Sequence, residues 1–564
     1  MPSWRTHVLC VCLILLGAAL IGRLSYLQIF HHGFYKALAQ GQQSSPYIAK
    51  GERGNIFAAD KQGNLHTIAS NQRAPLVFAI PSEVKTPEET TKILADILNL
   101  QESFIQEKLS HADSLFEVLK RRLSKEEEDA LLASSLSGLY LKEESVRHYP
   151  QESFASQTLG FVNQDEKGQY GLEEYYQEDL EGKEGFFTTI RNAGGYLANE
   201  KEEALKDGAD LLLTIDYNIQ ARAESLLQRE QSRLKFEEAS IIVMDPVSGK
   251  ILALSNTPSF NPNEYGEIQD LSLFQNSAVQ SLFEPGSVFK PLTMAGAIDA
   301  GALKPETTYE DKGIVRIGGY KVLNYDERIW GTRSMTEVLE FSINTGAVFA
   351  QQQLGNEKFL RALERFGMFE PTGVDLAGEA YSQNQELKKG YDINFATASF
   401  GQGIEITPMQ LVRAYSALAN KGVMAKPYLV EKLIEGNDER TTNPEFSLPA
   451  ISPKTANLVT QMMVNVIENG FSKRAKIPGY YLAGKTGTAQ VAWSALGVNK
   501  AGYSDKTVQS FLGFGPAYNP KFLILVKLGN PQTKTAEYSA MPIFRELAKY
   551  IIDYLEIPPD YDIE

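Results

Sequence analysis

Serine–lysine pairs are the residues of this chain whose type and spacing could support catalysis in its long C-terminal part. The chain has 564 residues with six His and two Cys, and all of these lie at or before His148. A Ser-His-Asp triad, a Cys-His pair and a His- or Cys-ligated zinc site are therefore excluded beyond that residue. Lysine remains as a base, because burial and neighbouring cations lower its pKa from about 10.4 toward neutrality.

The tetrapeptide Ser-x-x-Lys occurs three times, and the surroundings distinguish the three copies. A serine and a lysine three residues apart on a helix share one face. Residues 82–85 follow a proline in a predicted loop and residues 232–235 lie on a polar helix, so both copies are expected to be solvated. In the third copy, the turn Glu284-Pro285-Gly286 delivers Ser287 to a helix N-terminus, whose free N–H groups favour an oxyanion. Apolar residues follow, so Lys290 is predicted to be buried.

The elements that must position these residues form a domain after about residue 207. A strand at 211–215 and a helix at 217–234 precede a hairpin formed by 241–244 and 251–254. Helical runs occupy much of 287–365 and 407–421, strands return at 510–515 and 522–528, and the last helix covers about 543–554. The pattern predicts an α+β architecture, in which an antiparallel sheet is assembled from both ends of the domain with helices between them.

The N-terminus carries the membrane signal of the sequence. Residues 8–22 are apolar or small, and the apolar pattern continues past Arg23 to residue 30. About 20 such residues cross a bilayer, so residues 1–30 are predicted to be a cytoplasmic tip and a transmembrane anchor. A cleaved signal peptide is the alternative, because Gly17-Ala18-Ala19 fits a signal peptidase site. In both cases the rest of the chain is exported, and with a retained anchor it is a single-pass protein of the cytoplasmic membrane.

Composition and charge give expectations about the domains, the partners and the disulfides of the rest of the chain. Residues 31–207 are predicted to be a mixed domain of short strands and helices, largely helical from 86 to 136, and residues 208–564 the catalytic domain. The 55 Lys and Arg against 70 Asp and Glu give a net charge of −15, which makes nucleic acid an unfavourable partner. Both cysteines lie within the anchor, so no disulfide is expected in the exported part.

Three boxes, in order along the chain, resemble the active-site motifs of the penicillin-binding proteins. Residues 284–291, read as Glu-Pro-Gly-Ser-Val-Phe-Lys-Pro, resemble the Ser-x-x-Lys box. Ser342-Ile343-Asn344 is similar to the second box, Ser-x-Asn, whereas Ser382-Gln383-Asn384 fits the same letters within a polar run and is discounted. Lys485-Thr486-Gly487-Thr488 resembles the third box. Landmarks outside the boxes, such as Arg53-Gly54-Asn55-Ile56, are similar to those of the class B, monofunctional members.

The resemblance implies both a fold and a chemistry. It implies an elongated mixed pedestal domain, of the dimerisation type, and a penicillin-binding transpeptidase domain, with no metal and no cofactor. Ser287 would attack the D-Ala-D-Ala carbonyl of a peptidoglycan stem peptide, and a neutral Lys290 would accept its proton. Ser342 would relay a proton toward the leaving amine, and Asn344 would hold Lys290 and the substrate amide.

The third box would bind the donor substrate. Lys485 would supply positive potential, and Thr486 and Thr488, on either side of Gly487, would bind the terminal carboxylate. The backbone N–H groups of Ser287 and Thr488 would form the oxyanion hole. β-Lactams would be inhibitors that trap the same serine.

The resemblance also suggests a place in wall synthesis. Residues 398–403, 407–411 and 510–516 are more similar to the division-septum transpeptidases of the FtsI type than to elongation transpeptidases, which are the alternative. A D,D-carboxypeptidase and a non-catalytic sensor or scaffold are further alternatives; a sensor is disfavoured because about seven residues precede the anchor. No glycosyltransferase segment is recognised ahead of the pedestal, so a glycosyltransferase partner of the SEDS type is expected to supply the glycan.

Overall fold

The structure is a computed structural model that describes residues 4–26, 44–114, 116–191, 197–201 and 206–562. The chain divides into two compact units, one made of residues 1–54 and 181–208 and the other of residues 55–180 and 209–564. The domain boundary predicted near residue 207 stays a prediction.

Both strands and α-helices occur throughout the described chain. The strands are β1 Ser44–Lys50, β2 Ile56–Ala59, β3 Leu65–Ala79, β4 Glu117–Lys120, β5 Leu139–His148, β6 Phe161–Val162, β7 Gly168–Gln169, β8 Glu184–Arg191, β9 Leu197–Lys201, β10 Asp210–Asp216, β11 Glu238–Met244, β12 Ile251–Thr257, β13 Thr308–Asp311, β14 Ile314–Ile317, β15 Tyr320–Leu323, β16 Gly331–Ser334, β17 Val430–Glu435, β18 Asp438–Thr441, β19 Ala483–Ala492, β20 Tyr503–Gly515 and β21 Phe522–Gly529. The α-helices are Trp4–Ser25, Pro87–Leu98, Glu102–Ser110, Lys125–Ser134, Ser156–Leu159, Gly171–Tyr175, Gln177–Leu180, Tyr217–Leu234, Ser277–Gln280, Lys290–Asp299, Met335–Glu340, Asn344–Leu354, Asn356–Arg365, Gln385–Lys388, Asp392–Ala398, Pro408–Ala419, Pro453–Glu468 and Ala540–Tyr554.

The first unit contains the helix Trp4–Ser25 and a three-stranded antiparallel sheet in the order β1-β8-β9. Within the described residues, no helix combines the length and the apolar character that a membrane crossing requires. The anchor predicted at residues 8–30 starts inside the helix Trp4–Ser25, and its part beyond residue 26 lies outside the described residues. The transmembrane anchor therefore stays a prediction.

A mixed sheet in the second unit joins strands that are distant in sequence. Its order is β18-β17-β10-β2-β3-β4, and β5 pairs with β3. Strand β10 runs parallel to β2 and antiparallel to β17. The hydroxyl of Thr214 in β10 donates a hydrogen bond to the carbonyl of Ile251 at 2.7 Å. This bond connects the mixed sheet to the first residue of β12.

The second unit also contains a five-stranded antiparallel sheet in the order β12-β11-β21-β20-β19. The predicted hairpin supplies β11 and β12, and the predicted C-terminal strands supply β20 and β21, so the expected sheet assembled from both ends of the domain is confirmed. Strand β19 lies at one edge, and it carries the Lys-Thr-Gly-Thr box.

Helices cover both faces of this sheet. Successive apolar residues of its strands point to opposite faces, so both faces are apolar. The helices Tyr217–Leu234 and Ala540–Tyr554 pack on the face that presents Phe511 and Val526. The helices Lys290–Asp299 and Pro408–Ala419 belong to the core of the opposite face, with Leu512 among its residues. The helix Lys290–Asp299 is buried along nearly its whole length, so its first residue is carried into the interior.

Residues 308–334 depart from the helical pattern expected over much of 287–365. They form two short antiparallel pairs, β13 with β16 and β14 with β15. Gly318 and Gly319 connect β14 and β15 and both have positive φ, at 54° and 86°. A Gly-Gly pair between apolar runs is a sequence signal for a tight hairpin. The pairs matter for the site, because they lead directly into the helix that precedes Ser342.

Candidate active site

The Ser-x-x-Lys box forms a tight turn that opens into a buried helix. Gly286 to Phe289 make one 3₁₀ turn, and the helix Lys290–Asp299 follows without a break. Gly286 has φ of 63°, and its N–H donates to the carbonyl of Gly401 at 2.9 Å. A Cβ on Gly401 would lie 2.2 Å from the carbonyl oxygen of Gly286, so only glycine allows the two backbones to approach this closely. Ser287 is thereby fixed at the start of the helix.

Lys290 is completely buried, and its amine reaches four oxygen atoms. Nζ lies 2.6 Å from the carbonyl oxygen of Ser342, 2.8 Å from Asn344 Oδ1, 3.0 Å from Ser287 Oγ and 3.2 Å from Ser342 Oγ. The two shortest contacts are to oxygens that only accept hydrogen bonds. A neutral amine has two N–H donors and one lone pair. The two carbonyl oxygens take the two donors, and the lone pair is left for the Ser287 hydroxyl.

Both polar residues of the Ser-x-Asn box contact the Lys290 amine. Ser342 sits between the helices Met335–Glu340 and Asn344–Leu354 with φ of 55°, a left-handed conformation that is uncommon for serine. In this conformation its own carbonyl and its hydroxyl both contact Lys290. The Asn344 side chain accepts from Lys290 through Oδ1 and donates through Nδ2 to the carbonyl of Leu323 at 3.0 Å.

Lys485 completes a continuous chain of polar contacts. From the edge strand β19 its Nζ reaches Ser342 Oγ at 2.9 Å and the carbonyl of Thr486 at 3.1 Å. The Ser342 hydroxyl thus lies between the two lysine amines. The structure therefore brings together Ser287, Lys290, Ser342, Asn344 and Lys485, as the sequence predicts.

Burial makes both lysines easy to deprotonate. Burial lowers the pKa of Lys290 well below its usual value, and the positive charge of Lys485 lowers it further. Burial lowers the pKa of Lys485 to about 7, an effect that the carboxylate of Glu537 opposes. Lys290 is the amine in contact with Ser287 Oγ, which suits it to be the base and leaves Lys485 to be the cation.

Thr486, Gly487 and Thr488 lie on β19 beside the nucleophile. Strand alternation puts the two threonines, both half-buried, on the opposite side of β19 from Lys485 and Gly487. A Cβ on Gly487 would lie 2.9 Å from the carbonyl oxygen of Pro285, so glycine lets the strand lie against the turn that holds Ser287. The hydroxyl of Thr488 accepts from the N–H of Ala536 at 3.3 Å.

Three hydrogen bonds around the turn that carries Ser287 could not be predicted from the sequence. Glu284 Oε1 accepts from the N–H of Gly403 at 3.0 Å and from the Tyr503 hydroxyl at 3.3 Å. The Tyr415 hydroxyl donates to the carbonyl of Val288. The glycines at 401 and 403 stand out in the sequence as a family landmark, but their partners lie more than a hundred residues away and no local pattern indicates them.

The other two Ser-x-x-Lys copies and the Ser-x-Asn motif at residues 382–384 take no part in these contacts. Ser82, Lys85, Ser232 and Lys235 are all exposed. Asn384 uses its side chain to bind the backbone of Ser382 and Glu405, which is a structural role.

What the arrangement can do chemically is acyl transfer. It contains a serine hydroxyl in contact with a buried amine whose pKa is lowered, a second hydroxyl that connects this amine to a second lysine, and backbone N–H groups at the start of a helix. The fold and the site together fit the class of serine acyltransferases.

Comparisons with known proteins agree with this geometry. Residues 239–549 match the penicillin binding protein transpeptidase domain, and residues 48–213 match the penicillin-binding protein dimerisation domain. Stage V sporulation protein D of Bacillus subtilis is 32% identical over 523 residues, which cover 90% of this chain and 79% of that protein. Peptidoglycan D,D-transpeptidase FtsI of Escherichia coli is 27% identical, with 99% of this chain and 93% of that protein covered.

Solved structures show the same fold. The crystal structure of penicillin binding protein 3 from Mycobacterium tuberculosis complexed with ampicillin has a TM-score of 0.71 at 24% identity, covering 92% of this chain and 98% of that chain. The chain therefore belongs to the penicillin-binding protein transpeptidase family. The predicted family, the class of enzyme and the pairing of a dimerisation domain with a transpeptidase domain are confirmed.

Proposed function

We propose that this protein cross-links peptidoglycan stem peptides as a D,D-transpeptidase with Ser287 as its nucleophile. One observation carries the proposal: the two N–H donors of a neutral Lys290 amine are matched by the carbonyls of Ser342 and Asn344, which turns its lone pair toward Ser287 Oγ at 3.0 Å. Relatives named peptidoglycan D,D-transpeptidase support the same reaction for this chain.

The first half of the reaction forms an acyl-enzyme. Ser287 Oγ attacks the carbonyl carbon of the penultimate D-Ala while its proton moves to Lys290 Nζ. The resulting oxyanion is bound by the backbone N–H groups of Ser287 and Thr488. The C–N bond to the terminal D-Ala then breaks. The leaving amine takes a proton through the Ser342 hydroxyl, which lies within 3.2 Å of both lysine amines.

The second half reverses the proton path. The amino group of a neighbouring stem peptide attacks the ester carbonyl and forms the cross-linking amide bond. Its proton passes to Lys290, and Ser287 regains a proton as the ester C–O bond breaks. No external oxidant, reductant or metal is needed to balance these steps.

The third box selects a substrate that ends in a carboxylate. Thr486 and Thr488 share one side of the edge strand, and Lys485 supplies the nearby positive charge. A β-lactam carries a similar carboxylate next to its reactive carbonyl, so it competes at the same place and acylates the same serine.

The cellular role that we propose is synthesis of the division septum, as the motif comparison indicates. The similarity to a protein named FtsI supports this role. A role in sporulation is the second candidate, because the 32% identical relative is named Stage V sporulation protein D. Tagged protein at the division site would support the first role, tagged protein confined to developing spores the second, and tagged protein along the side wall an elongation role.

We further propose that the protein works at the outer face of the cytoplasmic membrane. The apolar residues 8–30 would anchor it there, and large apolar side chains of the helix Trp4–Ser25, among them Ile14 and Leu16, are exposed. A glycosyltransferase of the SEDS type would supply the glycan strands that this domain cross-links.

Product analysis tests the proposed reaction. Purified protein is given lipid-linked substrate together with a glycosyltransferase, and muropeptides are separated after digestion. Wild type should give cross-linked dimers, Ser287→Ala should give none, and Ser232→Ala, which changes an exposed serine of another Ser-x-x-Lys copy, should match wild type. Trimmed monomers without dimers would instead show a D,D-carboxypeptidase and overturn the proposal.

A further inference from the structure

A buried carboxylate outside the three boxes is connected to the active site. Asp311, at the end of β13, is 2% exposed, and its oxygens accept hydrogen bonds from the N–H groups of Gly313 at 3.0 Å and Trp330 at 2.8 Å. It also accepts from Asn324 Nδ2 at 2.9 Å and from the Thr345 hydroxyl at 2.6 Å. All of these donors lie on residues 313–345, so the carboxylate is the centre around which this part of the chain folds.

Asp311 fixes the orientation of the Asn324 side chain. Nδ2 of Asn324 points at Asp311 and at the carbonyl of Arg328, at 3.0 Å, so Oδ1 faces the other way. There Oδ1 accepts from the backbone N–H of Thr345 at 3.1 Å. Thr345 is thus held by both residues: its N–H donates to Asn324, and its hydroxyl makes its shortest contact with Asp311, with Asn324 Oδ1 at 3.2 Å and the Tyr309 hydroxyl at 3.1 Å further away.

The same contacts set the position of Asn344. The carbonyl of Leu323, next to Asn324, accepts from Asn344 Nδ2 at 3.0 Å, and this leaves Asn344 Oδ1 facing Lys290 Nζ at 2.8 Å. Residues 323–324 therefore hold residues 344–345 by two parallel contacts. A shift of either pair would move one of the two carbonyl oxygens that direct the lone pair of Lys290.

We infer that Asp311 is a positioning residue for the acylation step, acting through Asn324 and Thr345 on Asn344. The inference rests on the proposed role of Lys290 as the base. An Asn at position 311 keeps the shape but offers one acceptor oxygen, so it cannot serve both the Thr345 hydroxyl and the donors on its other side. A misplacement of about 1 Å at a reacting group can cost about 100-fold in rate.

The test measures acylation by a fluorescent penicillin in the full-length protein, separating the first-order rate constant at saturation from the concentration that gives half of it. For Asp311→Asn we expect the rate constant to fall about 10- to 100-fold, while the half-saturating concentration changes by less than about threefold and the fraction of protein that is finally labelled stays at the wild-type level. Glu310→Gln, the same chemical change at the exposed neighbouring residue, should leave all three quantities unchanged.

A second pair of variants guards against misfolding of Asp311→Asn. Thr345→Val removes the hydroxyl that reaches Asp311 and should lower the rate constant in the same way, whereas Thr345→Ser keeps the hydroxyl and should restore it. The double variant Asp311→Asn/Thr345→Val should be no slower than the slower single variant, because both act through one contact.

Two results would overturn the inference. One is a wild-type rate constant in both Asp311→Asn and Thr345→Val. The other is a reduced labelled fraction with an unchanged rate constant, which would show a structural role alone. Failure of the wild type to make cross-links would contradict the proposed function instead, and it would be seen in the product analysis and not in penicillin labelling.

Discussion

Two regions of the catalytic domain bury lysine in opposite ways. In the active site, Lys290 and Lys485 are 0% and 1% exposed, and the hydrogen-bond acceptors of their amines among the described residues are neutral hydroxyl and carbonyl oxygens. Toward the end of β21, Lys527 is 2% exposed, but its Nζ pairs with the carboxylate of Glu238 at 2.6 Å. The three lysines are equally buried and differ in their partners.

The difference lies in the partners that the fold gives to a buried lysine. A carboxylate partner favours the charged ammonium, whereas burial among neutral oxygens favours the neutral amine. Lys527 and Glu238 join neighbouring strands of the sheet. Lys290 has the opposite setting, so its pKa falls and its lone pair becomes available to Ser287.

Replacing each buried lysine with methionine should give the largest difference between the two regions. Lys290→Met should lower the rate constant of penicillin acylation by about 10²–10⁴-fold, because it removes a general base. Lys527→Met, of the same size and burial, should acylate within about threefold of wild type, since it touches no reacting group. Stopped-flow labelling measures both rate constants. Equal losses in the two variants would mean that the partners of a buried lysine do not decide its role.

The approach of β19 to the nucleophile turn should have the next largest effect. Gly487→Ala places a Cβ 2.5 Å from Ser510 Oγ and 2.9 Å from the carbonyl oxygen of Pro285. The strand must move away from Ser287, and the acylation rate constant should fall about 100-fold.

Gly266→Ala is the matched control, because its added Cβ would meet nothing within 4 Å. This variant should acylate like wild type in the same labelling assay. Wild-type kinetics in Gly487→Ala would show that Lys485 and the threonines need no close contact with the turn.

The pH dependence of acylation sharpens the contrast between the two active-site lysines. Protonation of Lys290 removes the base, so the rate constant should fall as the pH is lowered. Loss of the proton from Lys485, whose pKa burial lowers to about 7, removes the positive charge, so the rate constant should fall above neutral pH by up to about tenfold per unit. The two amines share Ser342, so the limbs belong to the pair.

Lys485→Arg separates the two limbs. Arginine stays charged throughout this range, so the alkaline fall should disappear even if the maximal rate is lower. A wild-type rate constant that is level from pH 7 to 9 would contradict a charged role for Lys485.

Stability should change in opposite directions in the two regions, and this is the smallest effect. The pKa of Lys290 is lower in the folded protein than in the unfolded chain, so the unfolded state binds more protons at pH 7 and stability rises with pH up to the unfolded value. Lys290→Met removes this cost and should raise Tm by about 2–4 °C for each kcal/mol gained. The gain should shrink at pH 9.

Glu238→Gln should instead lower Tm, because it leaves Lys527 buried without its counterion. Glu238 is 44% exposed, so the loss should be about 1 kcal/mol, below the roughly 3–5 kcal/mol of a fully buried pair. Thermal unfolding at pH 7 measures both variants, and a fall in Tm for Lys290→Met would count against its burial as a neutral amine.

Much of the site could be predicted from sequence because its residues lie in short sequence motifs. Ser287 and Lys290 are three residues apart, and the absence of His and Cys beyond residue 148 leaves lysine as the base. The sheet could be predicted as well, because its strands are apolar runs bounded by turns. The residues whose oxygens contact the Lys290 and Lys485 amines within the described part of the chain, Ser287, Ser342, Asn344 and Thr486, all belong to the three boxes.

The contacts that support the site could not be predicted in this way. Gly286 meets Gly401, Asn344 meets the backbone of Leu323, and Asp311 meets Thr345. Each pair is brought together by tertiary packing, and none of the partners carries a local pattern for the contact. The helices expected over much of 287–365 are present, and the Gly-Gly turn at 318–319 is a sequence signal for the hairpin that interrupts them within 308–334.

Covalent labelling of the nucleophile tests the proposed chemistry most directly. Wild type, Ser287→Ala and Ser232→Ala are incubated with benzylpenicillin. The mass of each intact protein is measured by mass spectrometry, and the modified residue is then located by peptide mapping after digestion. We expect one penicilloyl group on wild type and on Ser232→Ala, located on Ser287, and none on Ser287→Ala. An adduct on another residue, or labelling of Ser287→Ala at the wild-type level, would contradict the assignment of Ser287 and with it the role of Lys290.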